Sequence, residues 1–226
     1  MNKLDTKQRN SILLVVLVLI VIGVFYFLSS KGIVNFGPKP NIDINDTTND
    51  TDDITSIKDK IKNNVCEDKE ISKCYVEYLQ LGIEYESLGK MDLAIKSYES
   101  ASLADKTQYV PYSNIGSVYK TQKDFTKAEE SFKKALSLDP TAISVYQKLY
   151  ELYRYDMKKY PHEIMPFFAD AIQKTGNNFE VVKMYAVYLY DVKDYESALP
   201  MWEAIAKEFP DNVSYQQRVA EIKGKM

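Results

Sequence analysis

Six positions of this chain recur together at a fixed offset of 34 residues. Tyr78, Gly82, Tyr85, Ala94, Tyr98 and Ala101 return as Tyr112, Gly116, Tyr119, Ala128, Phe132 and Ala135. Each partner is the same residue or another aromatic. A fixed period of this size is the mark of stacked structural repeats, in which one unit cannot bury its apolar face alone and does so against its neighbour. Within each unit the spacings are four and three, so each set of three residues lies along one face of a helix. The unit is therefore a pair of helices, and the fold class expected is all-α.

The order aromatic, small, aromatic, then Ala, aromatic, Ala, closing on Asp139 and Pro140, resembles the tetratricopeptide repeat (TPR), a helix–turn–helix unit. The resemblance implies a TPR solenoid of about four repeats, at 75–108, 109–142, 143–178 and 179–211, and a capping helix at 212–226. Repeat three begins in register with Tyr146 and Tyr153 and then departs. Its small position is Tyr150, and the facing position of its second helix is Ile164. The second helices of repeats three and four are again 34 residues apart, with Pro166, Phe168 and Ala171 matching Pro200, Trp202 and Ile205. Two extra residues must then lie between Arg154 and Glu163. Bulk at both small positions predicts a hairpin with its helices pushed apart. In repeats one and two the expectation is close approach, with Gly82 opposite Ala94 and Gly116 opposite Ala128. Pro166 and Pro200 predict late helix starts or kinks.

Upstream of the repeats the composition changes. Residues 1–10 are polar and carry Lys3, Lys7 and Arg9. Ile12 to Leu28 has no charge and is almost wholly Leu, Val and Ile. As a helix it would span roughly 26 Å, close to the hydrocarbon core of a bilayer once its flanks are added. A single-pass transmembrane helix is expected over 11–29. The alternative, a cleaved leader, normally has a shorter apolar run and a small-residue cleavage site, and neither is present. The basic N-terminal flank favours a cytoplasmic tail and an extracytoplasmic repeat domain. Residues 30–53, with Pro38, Pro40 and a run rich in Asn, Asp and Thr, read as a flexible linker. Ile54, Ile57, Ile61 and Val65 share one helical face, giving a cap helix and Cys-bracketed loop over 54–74. Cys66 and Cys74 enclose seven residues, and outside the cytoplasm a disulfide between them is the expectation. In a reducing compartment both would be free thiols.

The sequence offers little for catalysis. The one histidine, His162, follows Pro161 in the irregular turn, and there is no phosphate loop, nucleophile elbow or Cys/His metal cluster. No catalytic, cofactor-binding or metal-binding residue is assigned, and no enzyme is expected. The net charge of −3 lacks the basic excess of a nucleic-acid-binding domain.

What the resemblance implies instead is a concave groove lined by the first helix of each repeat, taking a peptide or helix from a protein partner. Carried onto this sequence, its lining is Val76, Leu79, Ile83 and Glu86 in repeat one, and Val110, Ser113, Asn114, Ser117 and Lys120 in repeat two. Repeat three adds Gln147, Lys148, Glu151 and Arg154; repeat four adds Lys183, Val187 and Tyr190. The carboxylate-clamp pattern of one TPR subgroup is only partly present. Asn114 fits and Lys148 stands where an arginine is usual, but Leu79, Ile83 and Ser144 replace the other members. The function expected is a membrane-anchored scaffold for protein–protein interaction, in assembly or support of a cell-envelope complex. A self-associating, homo-oligomeric structural protein is the alternative.

Overall fold

The computed structural model describes residues 51–63 and 74–226. The chain divides into two units, Met1–Asn41 and Ile42–Met226, and all described residues belong to the second. The membrane-spanning segment and most of the linker expected from the sequence lie outside the described residues. Among the described residues no helix is long and apolar enough to cross a membrane.

The described residues form ten α-helices and no strand. A short helix, α1 (Asp52–Asn63), precedes the repeats, with Ile54 and Ile57 buried. The side chain of Ile61, and Val65 altogether, lie outside the description. Then come α2 (Cys74–Ser87) and α3 (Met91–Ala104), followed by α4 (Val110–Thr121) and α5 (Phe125–Leu138). Repeat three holds α6 (Ile143–Glu151), continued by a π-helical turn at Leu152–Asp156, and α7 (Pro161–Lys174). Repeat four holds α8 (Phe179–Asp191) and α9 (Tyr195–Glu208), and α10 (Val213–Lys223) closes the array. Cys74 opens α2, is buried and is disulfide-bonded. Cys66, the sequence's other cysteine, lies outside the described residues.

Local chemistry sets these boundaries. Asp124, Asn178, Asp194 and Asn212 each accept a backbone N–H of the following first turn, at 2.9–3.2 Å, which satisfies donors that a helix start leaves orphaned. The turn inside repeats one, two and four has one residue at positive φ: Gly89 (71°), Lys123 (62°) and Lys193 (64°). Just after it, the N–H of Lys90, Asp124 or Asp194 donates to the carbonyl five residues back, at 2.8–2.9 Å. In repeat three the matching bond runs from Lys159 to Tyr153, six residues back. The π turn and the stretch from Met157 to Tyr160 thus take up the extra residues, and α7 starts at Pro161.

The glycines act differently from the expectation. A Cβ on Gly82 would lie 2.4 Å from the ring of Tyr98, and one on Gly116 would lie 2.7 Å from the ring of Phe132. The nearest neighbours are the rings of the second helix, not Ala94 and Ala128. Repeat four keeps the same arrangement with Ala186, whose carbonyl accepts the Trp202 indole N–H at 3.1 Å. Repeat three breaks it. Tyr150 meets the equivalent ring, Phe168, with centroids 5.1 Å apart, and α6 and α7 hardly approach each other, whereas α2–α3 and α4–α5 pack along their lengths. Rings fill the space: Tyr146 and Tyr153 lie 5.8 and 5.5 Å from Phe167, and Tyr188 lies 6.0 Å from Tyr150. Pro166 and Pro200 do not give late helix starts, one of the two outcomes expected. Each is the sixth residue of its helix, and both helices start on time and continue to residues 174 and 208. Both prolines are exposed, and so are His162 and Glu196, the residues four back whose carbonyls are left without a donor.

Candidate protein-interaction groove

The first helices α2, α4, α6 and α8 each bring a short polar or apolar row to one side of the array. At its centre is Lys148. Its ammonium donates to the hydroxyls of Ser113 (3.1 Å) and Ser117 (3.0 Å), so α6 is tied to α4 by a cation held on two neutral acceptors. Ser113 is buried and Lys148 is half-buried. Burial depresses the Lys148 pKa, Glu86 and Glu151 nearby oppose that, and Lys120 adds to it. Among the described residues no carboxylate touches this ammonium, so Glu86 and Glu151 offset its desolvation only from a distance.

Around it the other charged groups have polar partners. Lys120 bridges Glu151 and Asp156, each at 3.4 Å. Glu86 accepts the Tyr98 hydroxyl at 2.8 Å; burial first, and that carboxylate second, push the Tyr98 pKa strongly upward. Asn114 sits beside the same hydroxyl. Glu86, Ser113, Asn114, Ser117, Lys120, Lys148 and Glu151, assigned separately from the sequence, therefore form one polar centre.

The remaining assignments divide. Val76 (60 % exposed) and Ile83 (49 %) give the α2 end an apolar surface. Leu79 instead packs partly into the first core cluster, with Tyr78 and Leu81. Val110, at the start of α4, is half-buried. On the other side of α6, Gln147, Glu151, Lys183 and Val187 line an open cleft of ≈ 250 Å³ between α6 and α8. Lys183 is held by Glu180 at 2.8 Å and lies 5.1 Å from the centroid of the Phe179 ring. Arg154 does not join the polar centre, because its guanidinium lies over the buried ring of Tyr188, 5.5 Å from the centroid. Tyr190 is taken up by the last helix: its hydroxyl bonds to Glu221 and accepts from Lys225, and Arg218 stacks 4.1 Å over its ring.

Five cleft residues, Ile143, Tyr150, Tyr155, Glu180 and Met184, are additional to the sequence assignment. Tyr155, 61 % exposed, is carried by the π turn, and Met184 lies on α8. A 3.6-residue period places Tyr155 wrongly, because the wider π turn rotates it relative to α6. Its only sequence signal was the two-residue insertion. His162, in the same irregular region, is exposed and stacks on Tyr160 at 5.8 Å and 10°.

Comparison with known proteins agrees with this geometry. Two tetratricopeptide repeat family models match, one at residues 78–108 and one at 109–142. Among solved structures, the chain is similar to YrrB, described as a TPR protein with an unusual peptide-binding site. The TM-score there is 0.50 and the identity 16 %, over 75 % of this chain and 83 % of that one. It is also similar to a tetratricopeptide repeat protein from Parabacteroides merdae, with a TM-score of 0.53 and 16 % identity, over 74 % of this chain and 63 % of that one. These likenesses concern the fold. No curated protein matches the sequence. Helix pairs, repeat period, ring-on-glycine packing and both family matches identify residues 78–142 as two tetratricopeptide repeats within a fold of the same kind.

Proposed function

We propose that this protein is a membrane-anchored TPR scaffold whose groove holds a segment of a protein partner, with an acidic group of that segment seated at Lys148. The observation that carries this is the Lys148 ammonium, half-buried and, among the described residues, hydrogen-bonded to the hydroxyls of Ser113 and Ser117 with no carboxylate in contact. A carboxylate from a partner would add a counter-charge in direct contact, which Glu86 and Glu151 do not make, and charge-assisted hydrogen bonds of this kind are roughly twice as strong as neutral ones. The exposed Val76 and Ile83 at the α2 end suit the apolar side chains of the same segment. YrrB, similar in fold, is described by its peptide-binding site.

Anchoring rests on the uncharged run Ile12–Leu28. We place the repeats outside the cytoplasm, in a cell-envelope complex, from the basic N-terminal flank, and the disulfide-bonded Cys74 suits an oxidising compartment. The pairing proposed is Cys66–Cys74, the only two cysteines in the sequence. The test is crosslinking of the full chain in its native membrane, followed by recovery of partners by wild type and by Lys148→Ala. Loss of one partner with the variant supports the groove. Equal recovery removes it. Protease added to intact cells should cut the repeats, and protection of them would reverse the topology.

A further inference from the structure

The cleft between α6 and α8 is the second feature of the groove face, and its lining is unlike that of the Lys148 centre. We propose that it is a subsite for one basic side chain, arginine or lysine, of the segment held in the groove, an assignment that rests on the function proposed above. Size is the first ground. At ≈ 250 Å³ and open to solvent, the cleft is smaller than the roughly 300–1,000 Å³ of small-molecule sites, and it matches one long side chain.

The walls give the chemistry. Ile143, Met184 and Val187 offer an apolar track that suits the methylene stem of a long side chain. At one end stand two tyrosine rings, Tyr155 and Tyr150, edge to face with centroids 6.3 Å apart. Tyr150 is buried, while Tyr155 is 61 % exposed and has its ring available to a cation. The exposed ring at this position comes from the π turn; the residues 34 and 68 positions earlier are Thr121 and Ser87.

Charge decides between a basic and a neutral guest. Carboxylates stand on both walls, Glu151 from α6 and Glu180 from α8, against the single ammonium of Lys183. Lys183 is already drawn to Glu180 and to the ring of Phe179. Glu151 turns Oε2 to Lys120 and leaves Oε1 with one long contact, 3.4 Å from the Gln147 amide. Within the lining two carboxylates stand against one ammonium; Lys120, outside it, is shared between Glu151 and Asp156 and so offsets Glu151 only in part. An acidic guest is repelled, and an aliphatic one leaves the rings and carboxylates unused. The groove would then read an acidic group and a basic one on opposite sides of α6.

The test uses the full chain in detergent micelles with methyl-labelled methionine, following the Met184 signal, assigned with Met184→Leu. Blocked single residues serve as probes: acetyl-arginine, acetyl-norleucine and acetyl-glutamate methylamides. The arginine probe should shift Met184 at concentrations at least about threefold lower than the other two. Glu180→Gln should weaken the arginine response about threefold, and Tyr155→Ala, an exposed position, should weaken it further while the other methionine signals stay in place. Equal responses to arginine and norleucine, or a response unaltered in Glu180→Gln, would overturn the assignment. No partner is needed for this measurement. Failure of the groove shows instead as partner recovery unchanged by Lys148→Ala, whatever Met184 does.

Discussion

The ring of Tyr98 occupies the space that a Cβ on Gly82 would need, its nearest atom 2.4 Å from that position. Phe132 stands in the same relation to Gly116. Both rings are fully buried, and Tyr98 is also fastened through its hydroxyl to Glu86. The repeat's small residue is thus the seat for a ring of the second helix.

Alanine at residue 82 should therefore destabilise the fold. Alanine is favoured over glycine in a helix interior by about 1 kcal/mol, but overpacking a filled core costs about 1–3 kcal/mol. With a backbone-bonded helix on one side and a pinned ring on the other, the clash should win. We expect Gly82→Ala to lower unfolding free energy in urea by about 1–2 kcal/mol. In the double variant Gly82→Ala with Tyr98→Leu, the added methyl should cost less. Equal cost in both backgrounds would mean that the ring is not the obstacle.

Repeat three shows what happens without the small residue. Tyr150 and Ile164 are both buried, the hairpin is splayed, and rings fill it. Among the described residues, the hydroxyls of Tyr150 and Tyr188 are buried without a partner in good hydrogen-bond geometry, the Tyr155 hydroxyl lying beside that of Tyr150. A buried unsatisfied hydroxyl costs on the order of 1–3 kcal/mol. Tyr150→Phe should therefore be neutral or stabilise the protein by up to about 1 kcal/mol, measured in the same denaturation. Destabilisation by more than that would reveal a partner for the hydroxyl.

Glu129 fastens the irregular turn of repeat three to α5. One of its oxygens accepts from the Tyr153 hydroxyl at 2.9 Å and from Lys159 at 3.2 Å, and pairs with Lys133 at 2.7 Å. Burial works to raise its pKa, but the bonds from Lys133, Tyr153 and Lys159 together outweigh it and hold the carboxyl below its ordinary value. A folded-state pKa below the unfolded one gives stability that is present above the unfolded value. It is lost as pH falls through the folded one. Wild type should thus lose more stability than Glu129→Gln between about pH 5 and pH 3. Parallel acid limbs for the two proteins would contradict this.

Sequence and structure agree most where the repeat is regular. The 34-residue period identified the helix pairs because each residue's environment is set within its own unit and the next. The polar centre was legible for the same reason: Ser113, Ser117 and Lys148 lie on faces that a regular helix defines. Arg154, Tyr155 and Tyr190 were not legible. The π turn rotates residues after Leu152 off the expected face, which turns Arg154 onto Tyr188 and exposes Tyr155. Tyr190 depends on α10, which follows the last repeat and bonds to it through side chains that no period encodes. Pro166 and Pro200 do not delay their helices because an exposed proline at the sixth helical position has a solvent-accessible residue four back to carry the freed carbonyl.

The central claim is that a half-buried cation on α6 captures a partner's acidic group. The most direct measurement is quantitative crosslinked recovery of partners in native membranes by wild type, Lys148→Ala and the control Glu129→Gln. We expect at least one partner lost by about tenfold or more with Lys148→Ala, as follows when a contact worth about 1.4 kcal/mol or more is removed, and retained with Glu129→Gln. Recovery of the same partners in equal amounts by wild type and Lys148→Ala would contradict the account.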